Sequence, residues 1–218
     1  MISSRSLREL PNVDELKRIC QSVALLDAIL EPDWEYRYYS FDANWSDDEM
    51  LASMRNGTGD SFSILFNSAG AIIKGFAHES AMARHSADTG EVWPGVLDQV
   101  PPDFETVLND PAFVPEETSF CMWRKRGDLV WQTGKIKFPE ADYPDGSEDL
   151  LFILDGKPET YASWAAEYNE RPVPLDAVKD VYAHKPLTQQ LVSRLNPDRS
   201  LEELEEDLDQ IGYRRKPV

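Results

Sequence analysis

The chain has 218 residues, 40 of them acidic against 22 basic, for a formal charge of −18. Such a surface repels phosphate backbones and anionic lipid over roughly 8 Å in physiological salt, so nucleic acid and membrane are not expected partners and a basic protein is the one the charge suits. Aromatic residues at 11% exclude a disordered chain of this charge, and the length suits one hydrophobic core, so residues 1–218 are read as a single domain.

From Asn12 the apolar residues Val13, Leu16, Ile19, Cys20, Val23, Leu26, Ile29 and Leu30 recur at three- and four-residue spacing up to Pro32, which predicts an amphipathic helix capped by Asn12. Trp34, Tyr36 and Tyr38 alternate with Glu35, Arg37 and Tyr39, which predicts a strand up to about Phe41. Ser46 followed by Glu49 reads as a capping box opening a short helix with Met50, Leu51 and Met54. That helix ends in the turn Asn56-Gly57-Thr58-Gly59-Asp60.

Residues 61–67 and 71–78 form a predicted hairpin through Ser68-Ala69-Gly70, and 119–124 with 129–132 a second one through Arg126-Gly127-Asp128. Between them, 79–117 is irregular and broken by prolines, with a helical turn expected from Pro102 through Leu108. Leu150 to Leu154 is read as a sixth strand after the loop 139–146. From about 157 the chain is helical, over 159–169, 175–184, 187–195 and 201–211, with prolines setting the turns. The expected fold is therefore α+β: an antiparallel sheet of about five to six strands with N-terminal and C-terminal helices packed on one face. Ile64, Phe66, Ile72, Phe76, Phe120 and Trp123 are its expected core.

Cys20 and Cys121 lie in different elements with no Cys/His spacing near either, and both are read as buried free thiols. The first ten residues have no apolar core of a signal segment and no run reaches the roughly 20 apolar residues of a membrane span, so the cytoplasm is the expected compartment.

The strongest candidates for chemistry are His78 and Glu79, at the end of a predicted strand, followed by His85 and Asp88 in an expected loop. Their spacing matches no zinc pattern, and a histidine hydrogen-bonded at a strand end is the expected role of His78. Asn56 to Asp60 lacks the Lys-Ser/Thr of a phosphate-binding loop and is read as a tight turn. Asp142, Asp145, Ser147, Glu148 and Asp149 surround Gly146 without the alternate spacing of a calcium loop and are read as a solvated turn. No metal or cofactor is expected. The tail has Leu201, Leu204, Leu208 and Ile211 on one face and acids elsewhere, followed by Arg214-Arg215-Lys216, which complements a helix C-terminus.

Tyr38-Tyr39-Ser40-Phe41-Asp42 with Trp45, Met54-Arg55-Asn56-Gly57 with Gly59-Asp60, Gly75-Phe76-Ala77-His78-Glu79-Ser80, and Phe120-Cys121-Met122-Trp123-Arg124 resemble a family of bacterial hypothetical proteins. That resemblance implies no particular activity. Pro101-Pro102-Asp103-Phe104 is similar to the proline-acid-aromatic helix start of bacterial toxin-immunity proteins, which carry it near their beginning. The expected function is a non-enzymatic acidic protein-binding module, immunity-like as an example. The alternative is a small metal-dependent or acid-base hydrolase using His78 and Glu79.

Overall fold

The computed structural model describes residues 2–214, so Arg215 and Lys216 of the basic tail lie outside the described residues. Helix α1, Val13–Leu30, begins where the sequence places it: the Asn12 side chain accepts from the backbone N–H groups of Asp14 and Glu15, and the Glu15 carboxylate accepts from the backbone of Asn12. This reciprocal cap satisfies donors that helix geometry leaves without partners. The eight apolar positions named from Val13 to Leu30 are all buried, Leu16, Leu26 and Ile29 fully so, and Leu25, outside that pattern, is fully buried as well.

Six strands follow in chain order as an antiparallel meander: β1 Tyr39–Asp42, β2 Met50–Arg55, β3 Ser61–Phe66, β4 Gly70–Phe76, β5 Phe120–Lys125 and β6 Gln132–Thr133. The β3–β4 hairpin pairs Phe66 with Ala71 and Ile64 with Ile73, and Ile72 of β4 faces Trp123 of β5. Gly75 pairs with Phe120, whose ring lies over it; a Cβ there would stand 2.1 Å from the ring.

The strand pattern departs from expectation in three places. Residues 50–55 are strand rather than helix: Ala52 and Met54 point into the core with period two, and the segment pairs with both β1 and β3. Two ladders of hydrogen bonds outweigh the weak local preference of Met and Leu for helix. Trp34–Tyr36 is a 3-10 turn, and strand begins only at Tyr39. The expected sixth strand Leu150–Leu154 is instead helix α4, Ser147–Leu151, and the 3-10 turn Phe152–Asp155 that continues it, and of the expected strand 129–132 only the short β6 at its end pairs. A short apolar run fits a buried helix as well as a buried strand. Leu129 and Val130 stay exposed beside β6, while Trp131 is buried and donates its indole N–H to the Pro11 carbonyl at 2.7 Å.

The remaining helices are α2 Ala81–Thr89, α3 Glu105–Asn109, α5 Pro158–Tyr168, α6 Leu175–Tyr182, α7 Gln189–Leu195 and α8 Glu205–Ile211. Residues 81–89, expected as loop, are helical because the Ser80 hydroxyl caps the Ala83 N–H and Gly90 closes the helix at φ 75°. The C-terminal helices lie where proline spacing puts them. Leu204, in the 3-10 turn before α8, and Leu208 and Ile211 of α8 are buried on the body of the chain, where α8 packs toward α1 and β1.

Both faces of the sheet are covered, where the sequence led us to expect helices on one. The face carrying Phe41, Ala52, Met54, Phe62, Ile64, Phe66, Ile73, Phe120 and Met122 packs on α1, α4 and α5–α8. The opposite face carries Leu65, Ile72, Cys121 and Trp123 and is covered by α2, α3 and the loops between, through Met82, Val96, Phe104, Val107 and Phe113. Runs such as Ile64-Leu65-Phe66 and Cys121-Met122-Trp123 are apolar at consecutive positions, as a strand buried on both sides requires. Five of the six expected core residues are buried; Phe76, at the end of β4, is half-buried. Cys20 and Cys121 are buried and free, and burial pushes the Cys121 thiol up to about 12.

Candidate functional site

His78 stands just beyond β4, against the β2–β3 turn. Its backbone N–H donates to Asp60 Oδ1 at 2.9 Å and its ring Nδ1 lies 2.7 Å from the same oxygen, while Asn56 Nδ2 donates to Asp60 Oδ2 at 2.8 Å. Asn56 Oδ1 in turn accepts from the N–H groups of Thr58 and Asp60. Gly57 and Gly59 have φ of 74° and 113°, and a Cβ on Gly59 would sit 3.3 Å from the His78 ring. The turn is thus shaped by glycine and fastened by its own carboxylate and amide, as a tight turn should be. Burial works to raise the Asp60 carboxyl, but hydrogen bonds from His78 and Asn56 outweigh it and hold the group below its usual range.

Glu79 is not the partner of His78. It is exposed and makes no hydrogen bond or ion pair among the described residues. His85 is carried on α2 with its ring edge-on to Trp93 at 5.0 Å, and Asp88 is exposed further along that helix. No group of three His, Cys, Asp or Glu side chains among the described residues is placed to hold a metal ion.

The Asp142–Asp149 turn is only partly solvated. Asp145 and Ser147 are buried; Asp145 accepts from the Ser4 hydroxyl through Oδ2 and from the Ser147 hydroxyl and N–H through Oδ1. The Asp145 carbonyl accepts from Ser119, so this knot fastens the N-terminal segment to β5. Asp27 of α1 does similar work elsewhere: its buried carboxylate accepts from the N–H groups of Tyr38 and Tyr39 at 2.9 Å each and from the Tyr161 hydroxyl at 2.6 Å. Burial raises its pKa to about 7 despite those donors. Lys74 of β4 donates to the carbonyls of Phe113, Val114 and Glu117 at 2.6, 3.0 and 2.8 Å, and burial lowers it to about 8. Each of these buried groups joins elements that are distant in sequence.

Two exposed surfaces are assembled from segments distant in sequence. At the free edge of the sheet, the β1–β2 loop is tied to α8: Ala43 N–H donates to the Gln210 carbonyl at 2.7 Å and Asn44 Nδ2 to the Asp209 carbonyl at 3.4 Å. Exposed Asp47 and Asp48 on the loop and Glu206 and Asp209 on the helix lie on the two segments these bonds join. Asp47, Asp48, Glu49 and Asp103 also line a groove of about 450 Å³. Trp45, 38% exposed, packs edge-on to Phe113 beside them. Arg37 neutralises Asp207 with two bonds, which fixes α8 in place and leaves the outer acids free of that cation.

A second surface gathers Trp34, Tyr36 and Tyr168, all exposed, around a groove of about 280 Å³. The Arg55 guanidinium lies 3.6 Å from the centre of the Trp34 ring, and Tyr168 stacks on Trp164 and donates to the Tyr36 carbonyl at 3.0 Å. The Trp34-Tyr36-Tyr38 alternation marks this segment in the sequence, but as strand rather than surface.

No helix among the described residues is long and apolar enough to cross a membrane. No family model, no curated protein and no solved structure matches the chain.

Proposed function

We propose that this chain is a non-enzymatic binding protein that receives a basic protein partner on the acidic edge formed by the β1–β2 loop and α8. One observation carries the reading: the loop that bears Asp47, Asp48 and exposed Trp45 is hydrogen-bonded to the helix that bears Glu206 and Asp209, so four exposed acids and an aromatic are presented on adjoining segments. Acids arranged in this way steer a cationic surface and set its register, while an aromatic beside them supplies the apolar anchor that binding hot spots use. Inhibition of a basic toxin by an immunity-like protein is an example of such a role.

The test is a pull-down at low salt followed by titration of the identified partner. The partner is basic, its affinity falls as ionic strength screens the attraction, and an Asp47→Lys/Asp48→Lys variant binds it more weakly. Recovery of nucleic acid, or a partner indifferent to both salt and charge reversal, contradicts the reading.

The second reading is acid-base hydrolysis, with or without a metal, centred on His78. What favours it is an imidazole oriented through Nδ1 by Asp60, an arrangement that suits a general base. Glu79 would serve it only from an exposed position. Stoichiometric zinc or manganese in the purified protein, lost in His78→Ala, would promote this reading over the first.

A further inference from the structure

The charge of the chain hides a pocket of opposite sign. Where the middle of α1 meets the α6–α7 connection and the segment after α8, Lys17, Arg18, Gln21, Ala183, His184, Gly212 and Arg214 line a concavity of about 470 Å³, with Asp14 at its rim. That volume is within the range of small-ligand sites, roughly 300–1,000 Å³. In a protein with 40 acids for 22 bases, nine lysines and arginines among the described residues are held in ion pairs. Lys17, Arg18 and Arg214 form no ion pair among the described residues, although Arg5, Arg37, Lys125, Arg126, Lys157, Lys179, Lys185, Arg194 and Arg199 all do. The one acid on the rim, Asp14, is engaged by Arg126 at 3.2 Å.

The scaffold around these cations is fixed. Gln21 donates to the Ile211 carbonyl at 3.0 Å, and Leu187 N–H donates to the Arg214 carbonyl at 3.0 Å, so the last described segment is pinned beside α1 and α7. His184 holds a left-handed backbone at φ 54°, its ring lying against Tyr213 and its Nε2 3.0 Å from the Arg18 carbonyl. A non-glycine residue in that conformation costs energy that the surrounding contacts must over-determine. Burial lowers the His184 pKa, against the hydrogen bond to the Arg18 carbonyl, and the charges of Arg18 and Arg214 add to the lowering.

We propose that this pocket binds a small soluble anion of the phosphate class. Lys17 and Arg18 of α1 and Arg214 of the C-terminal segment bring charged donors from two separate segments, and guanidinium groups match phosphate oxygens in pairs. An anion bound there would give Lys17, Arg18 and Arg214 a counter-charge that no ion pair among the described residues supplies.

Calorimetric titration of the full chain with pyrophosphate and with inorganic phosphate, at constant ionic strength, tests the proposal. Saturable binding is expected, weakened about tenfold or more in Arg18→Gln and in Arg214→Gln and unchanged in Arg84→Gln, an exposed arginine of α2. Circular dichroism and unliganded melting confirm that each variant is folded. Absence of saturable binding, a response reproduced by sodium chloride at equal ionic strength, or wild-type affinity retained in Arg18→Gln and Arg214→Gln would overturn the site. Tighter binding of a phosphoserine peptide than of pyrophosphate would overturn the assignment to a small soluble ligand.

Discussion

The two faces of the sheet are buried by different means. One packs on α1 and α5–α8 through a large continuous cluster that includes Leu25, Leu26, Ile29, Phe66, Tyr161 and Val178. The other is covered mainly by loops, with short helices α2 and α3, through a smaller cluster around Ile72, Phe104, Phe113 and Trp123. Where helices supply the cover, apolar area does the stabilising; where loops do, their backbone carbonyls need partners, and Lys74 provides three of them from inside the sheet. The acidic edge sits on the seam, since Ala43 is bonded to α8 of the helix layer and Trp45 packs on Phe113 of the loop layer. A partner seated there would touch both the stable and the yielding side of the molecule.

Damage to the helix-covered face should cost most. Phe66 is 2% exposed and packs near Phe41, so Phe66→Ala lowers unfolding free energy by about 3–5 kcal/mol through lost transfer energy and a cavity. Urea midpoints unchanged within error would show that this layer is not the main source of stability.

Asp27 sharpens the same point with a polar group. Asn in its place turns its amide nitrogen either to the Tyr38 and Tyr39 N–H donors, which share Oδ2, or to the Tyr161 hydroxyl on Oδ1, at a cost of about 1–3 kcal/mol near pH 5. The folded carboxyl titrates at about 7 and the unfolded one near 3.8, so over that window the folded state keeps a proton that the unfolded state has released. Stability from this group therefore falls as pH rises from about 4 to about 7, and it has no such term in Asp27→Asn. Chemical unfolding of both proteins at pH 5 and pH 8 should show the gap narrowing; a gap that widens would contradict a raised Asp27.

The smallest effect belongs to the loop layer. Lys74→Met removes the donor to the carbonyls of Phe113, Val114 and Glu117 but also removes a buried charge, so the net loss is about 1–2 kcal/mol. Hydrogen exchange should quicken at the amides of 105–118 while those of α1 stay protected. Equal acceleration in α1 would mean that the two layers open together.

How much of this was legible depends on whether the signal was local. Helix α1 announced itself through the Asn12–Glu15 cap and its spacing, and the β3–β4 hairpin through two apolar runs joined by a turn whose last residue, Gly70, has φ 155° and no room for a Cβ beside the Arg124 carbonyl. Strand β2 was misread because Ser46 and Glu49 mimic a capping box; in the fold the Ser46 N–H donates to the Glu49 carbonyl and closes a loop instead. Its neighbours β1 and β3, not its own residues, decide its conformation. His78 could be suspected from its place at a strand end, but its partner Asp60 lies a whole hairpin away, and neighbouring Glu79 drew attention that geometry does not support. The acidic edge and the basic pocket were out of reach, because each is assembled from segments far apart in sequence whose charges look like ordinary solvated ones.

The central claim is that the acidic edge is a recognition surface, and the most direct measurement is the affinity of the identified basic partner for wild type and for Asp47→Lys/Asp48→Lys across a salt series. The account predicts weaker binding in the variant at low salt and convergence of the two proteins as salt rises. Equal affinity at every salt concentration, with both proteins folded, would contradict it.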